Sequence, residues 1–295
     1  MSDKLCVVMP VYNERDAIGP VLEKWSRALD ALSIDYTIRP YNDGSKDDSL
    51  AVMNSISAHL PRVEVRDKPN GGHGHTILTG YRDAATDGFD WIFQIDSDDE
   101  MGPEKFHELW EKRTGYDFLV GYRDGRRQAL PRKIISFVSR CVVRCFFGRT
   151  IWDVNTPYRL MRVSYFKPFY QLIPERTFAP NVILAGIAAQ RGCRRFEMPV
   201  PQHDRTTGEV SIKKWKLLKA AMRSMLQTVA FALMHARRSE KLILSSVFAA
   251  WMASVSPLLA RLSTFALTAN FFRGETPRDG AVCRESPQIA ARNAV

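Results

Sequence analysis

The stretch Trp91-Ile92-Phe93-Gln94-Ile95-Asp96-Ser97-Asp98-Asp99-Glu100 decides how this chain is read. A short, largely apolar run, bounded by polar residues, has the length and composition of a buried β-strand. It ends abruptly in a cluster of carboxylates. Working outward, the same grammar repeats. Leu5–Met9 is an apolar run expected to stop at Pro10, and Ile18–Leu32 carries Ile18, Val21, Leu22, Trp25, Leu29 and Leu32 at helical spacing. Tyr36–Tyr41 reads as a strand closed by the turn Asn42-Asp43-Gly44-Ser45. A helix over Leu50–Leu60, a short strand at Val63–Val65, a loop holding Gly71, Gly72 and Gly74, and a helix over Thr76–Ala85 complete the series before Trp91. Alternation of this kind predicts an α/β fold with a mostly parallel central sheet flanked by helices. In such sheets ligands bind beyond the carboxyl ends of the strands, where the polar clusters fall.

The 295 residues carry a net charge of +10, an apolar fraction of 45% and five cysteines. That composition excludes a disordered chain and a disulfide scaffold. Met1-Ser2-Asp3-Lys4 is not followed by an apolar segment behind a basic flank, so no signal peptide is expected. Charge is divided unevenly. Residues 1–122 hold 22 acidic and 13 basic residues, whereas residues 123–295 hold 10 acidic and 29 basic. A nucleic-acid binder with an even basic surface does not divide in this way, and no nucleic-acid partner is expected.

Beyond Arg123 the texture changes. Ile134–Phe147 is amphipathic, with Arg132, Ser136, Arg140 and Arg144 recurring at every fourth position. Such a stripe is either a solvated helix face or a basic face against anionic lipid. Lys213–Arg223 is basic with Trp215, Leu217 and Leu218 interleaved. Leu242–Ala260 is uncharged for about 19 residues, close to the least that crosses a bilayer, although its serines and Pro257 weaken that reading. Residues 220–273 are therefore expected to form a membrane-associated or interfacial helical region, and residues 274–295 a disordered tail.

Asp96, Asp98 and Glu100, on alternate positions of an extended segment, would face one way. A hard divalent cation such as Mg²⁺ takes one or two carboxylates together with substrate phosphates. The competing reading is an acidic cap for the helix expected from Pro103. Pro10-Val11-Tyr12-Asn13-Glu14 and Asn42-Asp43-Gly44-Ser45 either meet a nucleotide or serve as ordinary strand-to-helix turns. No histidine is assigned chemistry.

Taken in order, Pro-Val-Tyr-Asn-Glu, Asn-Asp-Gly-Ser, Asn70-x-Gly72-x-Gly74 and Asp96-x-Asp98 resemble the family-2 glycosyltransferases of GT-A fold. Gly121-Tyr122-Arg123, Arg132-Lys133-Ile134-Ile135-Ser136 and Asp153-Val154-Asn155-Thr156-Pro157-Tyr158-Arg159-Leu160 look like the dolichyl-phosphate mannosyltransferase branch, which includes enzymes that glycosylate undecaprenyl phosphate. The resemblance runs from Leu5 to Lys219 and implies a GT-A catalytic domain over residues 1–219.

It also implies roles. Pro10, Tyr12, Glu14, Asn42, Asp43, Asp96 and Ser97 would bind the nucleotide sugar, UDP- or GDP-linked. Arg205, which matches the start of an Arg-x-x-Gly loop with Gly208, would join them. Asp96, Asp98 and Glu100 would hold a divalent cation, Mg²⁺ or Mn²⁺, with Glu100 replacing the usual Gln. Arg123, Arg132 and Ser136 would hold the phosphate of a polyprenyl acceptor. Asp98, Asp153 and Arg123 would be catalytic, Asp153 either as a base or as the orienter of a neighbouring arginine. Asn42 stands where the family usually has an Asp that meets the base. An amide both donates and accepts, which suits uracil better than guanine.

The activity so implied is inverting transfer of a sugar to a polyprenyl phosphate at the cytoplasmic face of a membrane, the protein being peripheral or anchored near its C-terminus. A hydroxyl acceptor on a glycan or small molecule is the nearest alternative. A non-catalytic basic protein that binds membrane or RNA is the alternative from another class.

Overall fold

The computed structural model describes residues 3–124, 141, 143–147, 153–203 and 214–235. Seven strands form one sheet in the order β3-β2-β1-β4-β6-β5-β7. They are β1 (Lys4–Val11), β2 (Asp35–Asp43), β3 (Arg66–Lys68), β4 (Trp91–Gln94), β5 (Phe118–Asp124), β6 (Arg159–Arg162) and β7 (Arg195–Pro201). All run parallel except β6, which is antiparallel to both β4 and β5. One edge of the sheet therefore gathers the carboxyl ends of β1, β2, β3, β4, β5 and β7 and the amino end of β6. Helices among the described residues include α1 (Arg15–Ala31), α2 (Ser49–Ser57), α3 (His73–Thr86), α4 (Phe106–Lys112), α5 (Val163–Leu172), α6 (Pro180–Gln190) and α7 (Lys214–His235). The expected mixed fold with a mostly parallel sheet is present.

The core explains the pattern of apolar residues. On α1, Ile18, Val21, Leu22, Trp25 and Leu29 are buried, and Trp25 meets Phe93 of β4 at a ring-centroid distance of 5.3 Å. Phe93 in turn packs edge-on against Tyr158 at 4.9 Å and Phe106 at 4.7 Å. This aromatic layer lies directly beneath the strand that leads into the carboxylates.

Several sequence expectations need correction, among them the turn at Asn42 and Asp43, which lie inside β2. The first strand does not stop at Pro10 but continues to Val11 in register with β2. Pairing of β1 with β4 ends at Val8↔Gln94, and the last bond on that side is Ile95 N–H to Val8 O. Pro10 points the same way as Val8, so its missing N–H falls where no neighbour strand needs it. The strand expected at Val63–Val65 is a single bridge from Val63 to Ile38, and the ladder forms instead at Arg66–Lys68, opposite Tyr41–Asp43. A charged edge strand of three residues carries no apolar signature. Helix α3 begins at His73, not Thr76: Gly72 adopts φ +87°, and its carbonyl accepts the Thr76 N–H. Gly74 is thus inside the first helical turn, where an added Cβ would fall on the carbonyl oxygens of Thr177 and Phe178.

Helix α7 runs unbroken across positions 219 and 220. Its Gln227 donates to the Arg176 carbonyl and accepts from the Phe178 N–H. Among the described residues no helix is long and apolar enough to cross a membrane. Most of the amphipathic segment Ile134–Phe147, the run Leu242–Ala260 and residues 274–295 lie outside the described residues.

Candidate functional site

The strand ends at the common sheet edge carry the sequence-selected residues. Val11 of β1 pairs with Asn42 of β2, and Asn42 pairs with Asp67 of β3, so one row crosses three strands. Tyr12 follows Val11 with 37% of its surface exposed. The Pro10–Glu14 segment is tied to the next loop: Asn13 N–H donates to Ser45 Oγ at 3.0 Å, Lys46 N–H to Asn13 Oδ1 at 2.8 Å and Glu14 N–H to Ser49 Oγ at 2.9 Å. Asn13 takes φ +55° to make this turn, a conformation that asparagine tolerates better than most residues.

Asn42 and Asp43 are both buried. Asn42 Nδ2 donates to Asp67 Oδ1 at 2.7 Å, and its Oδ1 accepts the Ser45 N–H at 3.2 Å. Both ends of the amide are engaged within the protein. Asp43 accepts the backbone N–H groups of Gly71 at 2.8 Å and Gly72 at 2.9 Å and pairs with the Lys68 ammonium. Burial pushes its carboxyl up, but the Gly71 N–H and the Lys68 side chain outweigh that and hold it below the ordinary aspartate value. Asp43 therefore shapes the glycine loop from beneath.

Beyond β4 the chain does not stay extended. The strand ends at Gln94, residues 97–101 bend, and Asp99 adopts φ +54°. The alternation expected to align Asp96, Asp98 and Glu100 does not apply past Gln94. Asp96 is half-buried; its Oδ1 accepts from Gln94 Nε2 at 3.0 Å and lies 3.8 Å from His73 Nε2. Ser97 is buried. Asp98 Oδ1 accepts the Glu100 N–H at 3.2 Å. Asp99 turns away to Lys24 of α1 at 3.1 Å. Glu100 Oε2 accepts from Gln202 Nε2 at 2.6 Å, and its carbonyl takes the His203 N–H.

Among the described residues no three His, Cys, Asp or Glu side chains are grouped to hold a metal ion. The donor set nevertheless suits a hard cation. Asp96 and Asp98 offer carboxylate oxygens from one loop, and a site of the Mg²⁺ type completes its shell with phosphate and water oxygens rather than with a protein cage.

Across the start of β6 lies a second pair. Arg123, near the end of β5, stands with its Nε 3.8 Å from Asp153 Oδ2, both side chains largely buried. The 153–158 turn is held from inside: Thr156 Oγ1 donates to the Gly121 carbonyl at 2.7 Å, and Tyr158 O accepts the Gly121 N–H at 2.8 Å. Arg159 is 0% exposed, and its guanidinium donates to the carbonyls of Thr156, Val154 and Asn181. Burial lowers its pKa.

The structure thus brings Pro10, Tyr12, Glu14, Asn42, Asp43, Asp96, Ser97, Asp98, Glu100, Arg123 and Asp153 to one edge of the sheet. Arg132, Ser136 and Arg205 lie outside the described residues. Sequence reasoning passed over Asp67, Arg159, Gln202 and the buried chain Tyr81–Asn181–Gln94 behind Asp96. Gln94 had a visible signal, as a polar residue inside a buried strand, and Arg159 stood in the quoted Asp153–Leu160 motif without being given a role.

The glycosyl transferase family 2 profile matches residues 6–167, more than half of the chain. The chain belongs to glycosyltransferase family 2. It is 28% identical over 220 residues to the undecaprenyl-phosphate 4-deoxy-4-formamido-L-arabinose transferase of Klebsiella pneumoniae strain 342, a match covering 73% of this chain and 64% of that protein. The match therefore spans just under two thirds of that relative's length. Two solved structures share the fold. One is the glucosyl-3-phosphoglycerate synthase of Mycobacterium tuberculosis in complex with Mn²⁺, UDP and phosphoglyceric acid, with a TM-score of 0.56, 15% identity and 78% of each chain covered. The other is a mannosyltransferase of Pyrobaculum calidifontis in complex with GDP-Man and Mn²⁺, with a TM-score of 0.56, 15% identity, and 91% of this chain and 81% of that one covered. The family-2 chain described here accordingly has the GT-A architecture that its motifs implied.

Proposed function

We propose that this family-2 chain is an inverting, divalent-cation-dependent glycosyltransferase that moves a sugar from a nucleotide donor to a polyprenyl phosphate at a membrane surface. The observation that carries the reading is the division of one sheet edge into two charge fields. Carboxylates of Asp96 and Asp98 follow β4, while the guanidinium of Arg123 ends β5 beside Asp153. The named relative acts on an undecaprenyl phosphate, which fits an anionic acceptor at the second field.

In this reading Tyr12, Glu14 and the Asn42–Ser45 turn receive the nucleoside. Asp96 and Asp98 would hold Mg²⁺ or Mn²⁺ against the diphosphate. That ion, when bound, offsets the charge that grows on the departing diphosphate. Arg123 holds the acceptor phosphate by charge-assisted hydrogen bonds, for which a guanidinium fork is well matched. A phosphate monoester has a second pKa of about 6 and is largely ionised at neutral pH, so its oxygen attacks the anomeric carbon without a base. Asp153 then has a positioning role, fixing the guanidinium of Arg123. Arg132, Ser136 and Arg205 are assigned by resemblance to the acceptor phosphate and the donor diphosphate.

The deciding experiment is incubation of membranes bearing the full chain with radiolabelled UDP- and GDP-sugars, followed by lipid extraction. Label in the lipid phase that disappears in Asp98→Ala is expected. Label appearing only in a water-soluble glycan would overturn the acceptor assignment. Unchanged transfer in Asp98→Ala would overturn the catalytic site.

A further inference from the structure

We propose that Asp67, held in place by Asn42, is the residue that reads the nucleobase, and that it selects uracil. The assignment rests on the donor-site reading above. Asn42 stands where a base-reading carboxylate is expected, yet it is buried, and each end of its amide is turned to the protein: Nδ2 donates to Asp67 and Oδ1 accepts the Ser45 N–H. The carboxylate of Asp67 lies one strand further along the same row, Val11–Asn42–Asp67, at an exposed position of β3. The 2.7 Å bond from Asn42 fixes Oδ1, and among the described residues Oδ2 has no partner. Neighbouring Lys68 does not compete for it, because its ammonium is committed to Asp43, the Pro69 carbonyl and Thr76. The exposed ring of Tyr12 follows the first member of the row.

The chemistry of that arrangement is selective. A carboxylate only accepts hydrogen bonds. Uracil presents one ring N–H, at N3, between two carbonyl oxygens, and asks for one acceptor. Guanine presents two adjacent donors and is best met by both oxygens of a carboxylate, and the bond from Asn42 leaves Oδ1 with one lone pair fewer for that contact. Cytosine presents a bare ring nitrogen at N3, which a carboxylate repels. The pairing also predicts what a single exchange does. In Asp67→Asn the amide oxygen can keep the bond from Asn42 Nδ2, which turns the new NH₂ toward the base. It then donates to N3 of cytosine and opposes N3–H of uracil.

The test is calorimetric titration of the purified full chain, with Mn²⁺ present, by UDP, CDP and GDP, repeated in Asp67→Asn and Asp67→Ala. UDP is expected to bind tightest to the unaltered chain. Loss of a hydrogen bond to a charged group corresponds to about tenfold or more in affinity, so Asp67→Ala should weaken UDP by that factor. Asp67→Asn should weaken UDP and strengthen CDP, a gain that misfolding cannot imitate. Tighter binding of GDP than UDP by the unaltered chain would overturn the choice of uracil. An unchanged ratio of UDP to CDP affinity in Asp67→Asn, with UDP still bound, would overturn the role of Asp67 and leave the donor site standing. No binding of any of the three would overturn the donor site and this assignment together.

Discussion

Gln94 Nε2 donates to Asp96 Oδ1 at 3.0 Å, and the same side chain accepts from Asn181 Nδ2 at 2.9 Å. Asn181 Oδ1 in turn accepts the hydroxyl of Tyr81 at 2.8 Å. Every donor in this buried series points one way, from α3 through α6 to the carboxylate beyond β4. Burial raises the Tyr81 phenol far above its usual range, keeping it a donor. Asp96 is therefore oriented by side chains that solvent does not reach.

Gln94→Leu removes that orientation and strands the amide of Asn181 without its acceptor. An unsatisfied buried polar group costs about 1–3 kcal/mol, so urea denaturation should show a loss of that order. Activity should fall further than stability explains, in kcat and in the cation concentration needed for half-maximal rate. Gln94→Glu retains the acceptor for Asn181 but sets a carboxylate against Asp96, and should raise the cation requirement more than Gln94→Leu does.

Asp43 supplies a pH dependence. Its carboxyl sits below the ordinary aspartate value because Gly71 N–H and Lys68 outweigh burial. A depressed folded-state pKa gives stability that is present above the unfolded value, about 3.9, and is lost as pH falls through the folded one. Asp43→Asn should therefore cost about 1.5–3 kcal/mol at neutral pH. The gap from the unaltered chain should close in acid, below about pH 4. Thermal melts across pH 3–8 would check this; a constant gap would mean that the charge of Asp43 contributes nothing.

How far these relationships were legible from the sequence depends on whether the signal was local. The runs Trp91–Ile95 and Leu5–Met9 announce themselves, though not their exact ends, because buried strands need continuous apolar runs. Helix α1 does so because its apolar face repeats with the helical period. Asp96, Asp98, Arg123 and Asp153 stand in ordered motifs, so their common edge was foreseeable. The inward role of Asn42 was not: whether an amide faces a ligand or a neighbouring strand depends on pairing, and β3 has only Arg66, Asp67 and Lys68 to declare itself. The bend after Gln94 was hidden for a similar reason. A left-handed residue such as Asp99 breaks an alternation that composition alone suggests.

Arg159 is a guanidinium with no carboxylate partner among the described residues, satisfied by the carbonyls of Thr156, Val154 and Asn181. Only a planar fork reaches several carbonyls at once. Arg159→Lys should lose at least about 2 kcal/mol, since carbonyls are left unpaired, despite keeping the charge. Because these carbonyls belong to the turn that carries Asp153 and to the first turn of α6, the variant should raise the acceptor KM more than the donor KM. Equal changes in both would argue that Arg159 only stabilises the fold.

The ion pair between Arg123 and Asp153, 3.8 Å apart, separates two acceptor chemistries. If Asp153 positions Arg123 for a phosphate, Asp153→Asn keeps a neutral hydrogen-bonding group near the guanidinium. It should then cost roughly tenfold in kcat/KM, in line with loss of one charge-assisted contact. If Asp153 removes a proton from a hydroxyl acceptor, the same change should cost 10²-fold to 10⁴-fold, the usual contribution of a general base. Arg123→Ala should cost more than Asp153→Asn, mainly in acceptor KM, because on the proposed reading it deletes the group that meets the phosphate. Arg123→Lys should recover only part of that loss, since an ammonium lacks the fork. Steady-state kinetics with a short-chain polyprenyl phosphate, across pH 5–8, distinguish the cases. A phosphate acceptor gives a rate that rises as its second ionisation near about pH 6 completes, and this limb should persist in Asp153→Asn. Its disappearance in that variant would make Asp153 the titrating base.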